Sequence, residues 1–445
     1  AIGLITQEIN EIFESGKSAF KYIYKITLLP LLFCIMIFSF LRAIKNNRVI
    51  SSYAIVPVLI ILSVAPIKVA KNHNFSIYYP DLTMHTMRNG IYAFSGYFVK
   101  ILPRKFYPIK TQNEYRKYKI EKISTPEIIN VVLVIGESVN YEHMSLYGYK
   151  RNTNVELSKL VKEGLVFKKG ISSSTSTKIS LPLILNSIRE PNNQAMLDSK
   201  ETNLFRLAKE NGFQTIYLSA QESILSRNIG ANYIDHMVVF ENEKLLFQEK
   251  KDEALLEVLD KIRPSKKNFI VLHQRNSHSP YESNYRQEFK IFPEETKNHK
   301  EFITNTYDNS IVFNDFLLNK MINYFKNKDS SFSLFFTSDH GELLGEDGLF
   351  GHSIFHIGAT KVPFLYYSDK KDEKFKKQIV ENITHYEMSL LIAQKLGFKI
   401  INPNINDHET FFIHGNNHNN VYEVMDCYEI TKNDDQASYH YKKLF

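Results

Sequence analysis

Two short apolar runs, each stopping abruptly at a carboxylate, constrain this chain more than anything else in it. One is Asn130-Val131-Val132-Leu133-Val134-Ile135, followed by Gly136-Glu137-Ser138. The other is Phe332-Ser333-Leu334-Phe335-Phe336-Thr337, followed by Ser338-Asp339-His340-Gly341-Glu342. Apolar runs of this length bounded by turn residues read as buried strands. In open α/β sheets, ligands collect beyond the carboxyl ends of the strands. Glu137, Asp339 and His340 are therefore expected on loops where chemistry takes place.

The rest of the chain from residue 125 onward alternates in the same way. Strand 130–135 is followed by a helix over 154–163 and a short apolar stretch at 165–167. A helix over 202–211 leads to strand 213–218, and a helix near 252–262 leads to strand 269–273. A longer helix near 304–326 precedes strand 332–337, with a further strand at 362–367 and a helix at 384–397. This alternation predicts an α/β fold, a mostly parallel sheet with helices on both faces. Residues 401–445 are polar and rich in Asn, and suggest no role.

An adjacent carboxylate and imidazole suit Zn²⁺, which takes oxygen and nitrogen ligands. A lone Asp-His pair is more ordinarily a helix cap and a turn. Two further stretches change that balance. Glu137 ends a second strand, and Ser172-Ser173-Ser174-Thr175-Ser176-Thr177 is a hydroxyl-rich loop running into the apolar stretch Ile179-Ser180-Leu181-Pro182. Two carboxylates, an imidazole and a hydroxyl make up a metal-assisted nucleophile.

On these residues the chain resembles the membrane-bound phosphoethanolamine transferases of the alkaline phosphatase/sulfatase superfamily. The matching stretches are Gly136-Glu137-Ser138, Thr175-Ser176-Thr177 with Ser180-Leu181-Pro182, Ser277-His278, Tyr307-Asp308-Asn309-Ser310, and Ser338-Asp339-His340-Gly341-Glu342 with Gly345-Glu346. They stand in the family's order between residues 125 and 400. The resemblance implies an alkaline phosphatase-like fold and one tight Zn²⁺ held by Glu137, Thr177, Asp339 and His340, with a second, weaker ion as an option. It implies Thr177 as the nucleophile, from its spacing to Ser180-Leu181-Pro182, and gives Thr175 no role. A metal cation would favour loss of the Thr177 proton, and a helix starting there would present its positive end to a phosphate. Capping that helix is the ordinary alternative for Thr177. His278 and His352 match histidines facing the transferred phosphate or a second metal, with His356 as the substitute for His352 if the loop is shifted. His273 lies inside a strand pattern and reads as a packing residue, and His385 matches no ligand position.

The implied reaction moves phosphoethanolamine from phosphatidylethanolamine to an envelope acceptor: lipid A, lipooligosaccharide core or another glycan. It would pass through a covalent intermediate on Thr177. The alternatives are a lipoteichoic acid synthase-like glycerophosphotransferase using Mn²⁺ or Mg²⁺, a membrane-anchored phosphodiesterase or sulfatase, and an inactive interaction protein. Ser180-Leu181-Pro182-Leu183-Ile184 lacks the Arg that a sulfatase needs. Relatives often brace the nucleophile loop with a disulfide. Ser173 and Leu183 stand at the matching positions, so packing alone is expected to hold the loop. Tyr217-Leu218-Ser219-Ala220-Gln221 looks less like the lipid A-modifying members than like those acting on other acceptors.

Before residue 125 the pattern is that of a membrane protein. Residues 22–41 and 53–69 are apolar enough to predict transmembrane helices, and Arg42, Lys45 and Arg48 between them predict a cytoplasmic loop. Residues 1–70 are then the end of a membrane domain, with two buried helices of a soluble core as the ordinary alternative; 71–124 read as an interfacial connector and linker, though their aromatic residues suit ordinary packing equally; and 125–445 read as a catalytic domain, which the resemblance implies is periplasmic at a bacterial inner membrane. The chain starts at Ala1, and is expected to be a fragment lacking earlier membrane helices; the resemblance implies five in all. The 55 basic and 48 acidic residues are scattered, which gives nucleic acid binding no support. Cys34 and Cys427 stand far apart and offer neither a disulfide nor a Cys-x-x-Cys zinc pattern. A monomer is expected.

Overall fold

The structure is a computed structural model, and it describes Ser95 and residues 115–123, 129–226, 228–264, 267–328, 330–353, 355–406, 410–415, 427–432 and 439–443. The chain divides into two compact units, Ala1–Ile109 and Lys110–Phe445. The main sheet and the helices that cover it lie in the second unit. The segments read as transmembrane helices lie outside the described residues. Among the described residues, no helix is long and apolar enough to cross a membrane.

In chain order the strands are β1 (Lys119–Lys122), β2 (Asn130–Gly136), β3 (Val166–Ile171), β4 (Gln214–Ser219), β5 (His236–Val238), β6 (Asn268–His273), β7 (Phe332–Ser338), β8 (Leu343–Leu344), β9 (Phe350–Gly351), β10 (Lys361–Ser368), β11 (Ile383–Thr384), β12 (Phe398–Ile401), β13 (Thr410–His414), β14 (Cys427–Lys432) and β15 (Tyr439–Lys443). The helices are α1 (Val155–Val161), α2 (Thr177–Leu185), α3 (Gln194–Ser199), α4 (Leu204–Glu210), α5 (Lys244–Lys250), α6 (Ala254–Ile262), α7 (His299–Lys326), α8 (Glu373–Lys376) and α9 (His385–Lys395).

The main sheet has eight strands in the order β11-β3-β10-β7-β2-β6-β4-β5. Its centre is parallel: β2 pairs with β6 and β7, and β4 pairs with β6 and β5. β10 departs from the expected parallel arrangement, running antiparallel between β7 and β3. The cause lies in the connection. Parallel neighbours need a crossover, usually a helix, and the described residues between β7 and β10 form only the small β8–β9 pair and short turns.

Both faces of the sheet are covered, which is why β2 reads as a continuous apolar run. Val131, Leu133 and Ile135 pack with Leu181 and Ile184 of α2, Phe205 of α4 and Ile392 of α9. Val132 and Val134 pack with Leu157 of α1, Leu259 of α6 and Leu317 of α7. Each such side chain contributes about 1.5–3 kcal/mol by leaving water. The expected helices are present as α1, α4, α6, α7 and α9. α7 starts earlier than its apolar pattern does, because the Asn298 side chain accepts from the Lys300 and Glu301 amides at 3.0 and 3.3 Å. α9 starts in a capping box made by Thr384 and Glu387. The tail that suggested no role contains β13, β14 and β15, an antiparallel sheet whose inner residues Phe411, Ile413 and Ile430 pack on Ile171.

Candidate active site

Register brings the two strand-end carboxylates together. β2 and β7 pair in parallel with Gly136 opposite Ser338, so Glu137 and Asp339 leave neighbouring strands at the same level. The turn after β2 puts Ser138 at φ +59°, an uncommon conformation for a residue with a Cβ. Bonds hold it there. The Ser138 amide donates to Asp339 Oδ1 at 3.1 Å, and the Val139 amide donates to Ser338 Oγ at 2.7 Å. The Tyr307 hydroxyl donates to Ser138 O at 2.7 Å and accepts from the Asn140 amide at 2.8 Å. After β7, Gly341 passes so close to β10 that a Cβ would stand 2.8 Å from Lys361 O. Tyr307→Phe leaves a buried carbonyl and a buried amide short of a partner. A stability loss of about 1–3 kcal/mol is expected in denaturant titration.

Thr177 is the first residue of α2, with Ser176 before it as the cap. Its hydroxyl donates to Asp339 Oδ2 at 2.6 Å, and stands 3.3 Å from Glu137 Oε2 and 3.2 Å from His340 Nε2. The structure thus brings together Glu137, Thr177, Asp339 and His340. His340 Nδ1 lies 3.0 Å from Gly341 O, a carbonyl that can only accept, so the proton sits on Nδ1 and the Nε2 lone pair faces the oxygens. That lone pair is 3.3 Å from Asp339 Oδ2 and 3.5 Å from Glu137 Oε1.

The charges in this cluster do not balance by themselves. Glu137, Asp339 and His340 are all buried, and one hydroxyl proton cannot serve two carboxylates. Burial, and then the Asp339 charge, push the Glu137 carboxyl well above its usual range. Burial works against the Asp339 carboxylate too, but His340, His273 and the Thr177 bond outweigh it and hold Asp339 low. Burial also keeps His340 below its ordinary value, in the neutral form that ligates. Three oxygen donors and one nitrogen donor around an uncompensated negative charge fit a zinc ion. Overlapping groups, Glu137 with His340 and His352, and Glu137 with His273 and Asp339, each have their ligand atoms within 4.8 Å of one another.

The remaining histidines separate cleanly. His352 lies against His340, with ring centres 4.3 Å apart, and its Nδ1 is 2.8 Å from Glu342 Oε2. Burial disfavours its charged form, yet Glu342 outweighs burial and lifts His352 to about 9. The Tyr281 hydroxyl donates to the other Glu342 oxygen at 2.5 Å. His278 is half-buried with its ring 6.1 Å from that of His352, and burial, then Arg275, hold it well below its ordinary value. His356 is spent elsewhere, accepting from the Gly358 amide at 3.0 Å and facing Asp347. His273 is buried at the end of β6, with Nδ1 3.1 Å from the Tyr217 hydroxyl and 3.2 Å from Ser219 Oγ. The Thr175 hydroxyl is buried with no hydrogen-bond partner among the described residues, and its carbonyl accepts from the Ser353 amide at 2.8 Å.

The loop before Thr177 is held by hydrogen bonds as well as by packing, which corrects the expectation. The Ser172 amide donates to Thr360 O at 2.9 Å, and Ser173 is bonded on both its amide and its carbonyl. Gln221, named in the sequence only within the stretch bearing on the acceptor, has a place in the site as well: its side-chain amide donates to Glu137 Oε2 at 2.6 Å. Its place just beyond the carboxyl end of β4 was the available signal. Glu342 and Tyr307 lay inside stretches already singled out, but nothing in the spacing gave them partners.

Residues 129–391 match the family described as Sulfatase. The chain is 28% identical over 282 residues to phosphoethanolamine transferase EptA of Helicobacter pylori (strain ATCC 700392 / 26695), covering 60% of this chain and 53% of that protein. It therefore spans about half the length of the curated relatives it matches. Among solved structures, the C-terminal periplasmic domain of phosphoethanolamine transferase EptC from Campylobacter jejuni is 26% identical, with a TM-score of 0.50, covering 61% of this chain and 90% of that one. The C-terminal periplasmic domain of EcEptC from Escherichia coli, in complex with Zn, shares the fold at 22% identity, with a TM-score of 0.54, covering 69% of this chain and 94% of that one.

Proposed function

The chain belongs to the sulfatase family, and from that premise we propose that it is a zinc-dependent phosphoethanolamine transferase acting on a bacterial envelope glycolipid or glycan. One observation carries this reading: a single hydroxyl, Thr177 Oγ1, stands within 3.3 Å of two buried carboxylates and an imidazole nitrogen. The relatives named phosphoethanolamine transferase, and the zinc in one neighbouring structure, support the group transferred and the metal.

Glu137, Thr177, Asp339 and His340 would hold the zinc, which supplies a Lewis acid favouring loss of the Thr177 proton. Thr177 Oγ1 attacks the phosphorus of phosphatidylethanolamine. The bond from phosphorus to the diacylglycerol oxygen breaks, leaving phosphoethanolamine esterified to Thr177. His352, charged beside Glu342, faces the developing negative charge and has a proton to give the leaving oxygen. His278, held neutral, suits the second step, in which an acceptor hydroxyl or phosphate displaces Thr177. The first amides of α2 add a positive dipole end beside the attacked phosphate. We place the described unit on the periplasmic side of an inner membrane, anchored by the segments at 22–41 and 53–69. The acceptor is lipid A, lipooligosaccharide core or another glycan, and the enzyme works as a monomer.

Mass spectrometry of envelope glycolipids and glycans tests this directly. Cells carrying the active full-length protein should gain a phosphoethanolamine substituent that cells carrying the Thr177→Ala protein lack. A glycerophosphate substituent instead would point to the glycerophosphotransferase alternative. Loss of a sulfate or phosphate would point to a hydrolase.

A further inference from the structure

Two buried imidazoles have no task in this chemistry, yet both close on the nucleophile loop. His385 opens α9 and His414 ends β13. Both reach Ser173, four residues before Thr177. His385 Nδ1 accepts the Ser173 amide at 3.1 Å, and its Nε2 lies 2.8 Å from the carbonyl of Ser338, the residue before Asp339. An amide can only donate and a carbonyl can only accept. The ring is therefore neutral with its proton on Nε2, and burial, which holds it at about 4, favours that form. From the other side the His414 amide donates to Ser173 O at 2.8 Å, and His414 Nδ1 stands 2.9 Å from the same oxygen. These partners are 212 and 241 residues away in sequence.

We propose that His385, assisted by His414, is a positioning residue that ties the hydroxyl-rich loop to the end of β7 and so fixes Thr177 against Asp339 and His340. This role rests on Thr177 being the nucleophile. A single rigid ring joins the main chain of the nucleophile loop to the main chain next to a ligand carboxylate. Thr177 and Asp339 come from elements with no covalent link nearby, and their 2.6 Å contact depends on how those elements are joined. Nothing in the backbone of Ser173 is left to water, since its amide and its carbonyl are both taken. His385 acts through Ser173 and Ser338, with the Thr337 hydroxyl a more distant neighbour of Nε2 at 3.4 Å. Its loss would loosen the loop without removing a group that touches substrate.

The test uses the full chain and four variants, with kcat, KM for phosphatidylethanolamine vesicles, zinc content, and hydrogen exchange of the peptide over residues 172–180. His385→Ala should lower kcat by about 10–100-fold, the cost of a misplacement near 1 Å, with KM and zinc content little changed. The Ser173 amide should exchange at least about tenfold faster. His385→Asn puts an acceptor where Nδ1 stands and should restore protection and most of kcat. His385→Gln keeps only a donor toward Ser338 and should leave the loop loose. His414→Ala, which retains its main-chain bond, should give a smaller loss. Wild-type kcat or unchanged exchange in His385→Ala overturns the role, as does a loss confined to KM. If His385→Ala fails to fold, the Asn and Gln variants decide, and Gln performing better than Asn overturns it. If the wild-type chain transfers no phosphoethanolamine, the proposed function fails, and the exchange rates still judge the tie.

Discussion

Thr177→Ala should lose nearly all turnover, on the order of 10³–10⁶-fold, as expected when a covalent nucleophile is removed. At 1.36 kcal/mol per tenfold this is about 4–8 kcal/mol of transition-state stabilisation. The geometry makes the prediction specific. Of the six hydroxyls in Ser172–Thr177, only that of Thr177 is bonded to Asp339 and stands beside Glu137 and His340. Thr177→Ser keeps the attacking oxygen and should keep a measurable fraction of activity, because the lost methyl changes only packing at the start of α2. Donor supplied without acceptor should leave phosphoethanolamine on the tryptic peptide carrying Thr177, since its release needs a second nucleophile. Thr175→Ala is the internal control, because the Thr175 hydroxyl reaches none of these groups and only its carbonyl is used. Because Thr177 is also a proposed zinc ligand, metal content must be measured before the loss is assigned to chemistry. Normal transfer by Thr177→Ala with an inactive Thr175→Ala would move the nucleophile two residues and undo the ligand set. Full transfer with no adduct would point to direct displacement by water or acceptor.

What the sequence revealed and what it hid depend on how far each contact reaches. β2 and β7 are legible because both their faces are buried, so no polar residue interrupts them until the strand ends. That same ending exposes Glu137 and Asp339 as candidates. Their adjacency needs the parallel register of β2 and β7, which no local pattern gives. β3 showed only as the short apolar stretch 165–167, because Lys168 and Lys169 break the run where the strand lies at the sheet margin, β11 pairing only with Gly170 and Ile171. β13 and β14 were equally hidden, since a sheet packed on one side carries polar residues such as Thr431 between its buried ones. Thr177 stood out by its spacing to Ser180-Leu181-Pro182, a likeness to a family and not a physical derivation. Gln221, His385 and His414 are single polar residues whose meaning lies 84 to 241 residues away. His273 read as packing. It is buried and bonded to Tyr217 and Ser219, but it also lies close to the Glu137 and Asp339 carboxylates.

Asp339→Ala should lose its zinc, as elemental analysis of the purified protein would show, and Asp339→Asn tests the charge separately from the shape. Asp339 does two things at once. Its Oδ2 meets Thr177, while its Oδ1 accepts the Ser138 amide at 3.1 Å and its own neighbour's amide, that of His340, at 2.8 Å. Alanine removes both the ligand and the turn it holds, so zinc loss alone could reflect a displaced His340. Asparagine keeps an Oδ1 acceptor for both amides, but removes the negative charge and puts an NH2 donor where Oδ2 accepts from Thr177. A neutral amide is a poor partner for Zn²⁺, and losing a ligand should weaken binding at least as much as the 10–100-fold typical of losing a supporting group, so about 100-fold or more. Chelator competition would measure it. The Glu137 carboxyl gives a second, independent reading. Its proton affinity is raised by burial and by Asp339, and a proton there competes with the metal. Wild-type zinc affinity should therefore fall as pH drops through the raised Glu137 value. In Asp339→Asn the neighbouring charge is gone, so that fall should begin at lower pH even though affinity is weaker throughout. Full zinc content and unchanged affinity in both variants would sink the four-residue site, and Glu137 with His340 and His352 would become the group to examine.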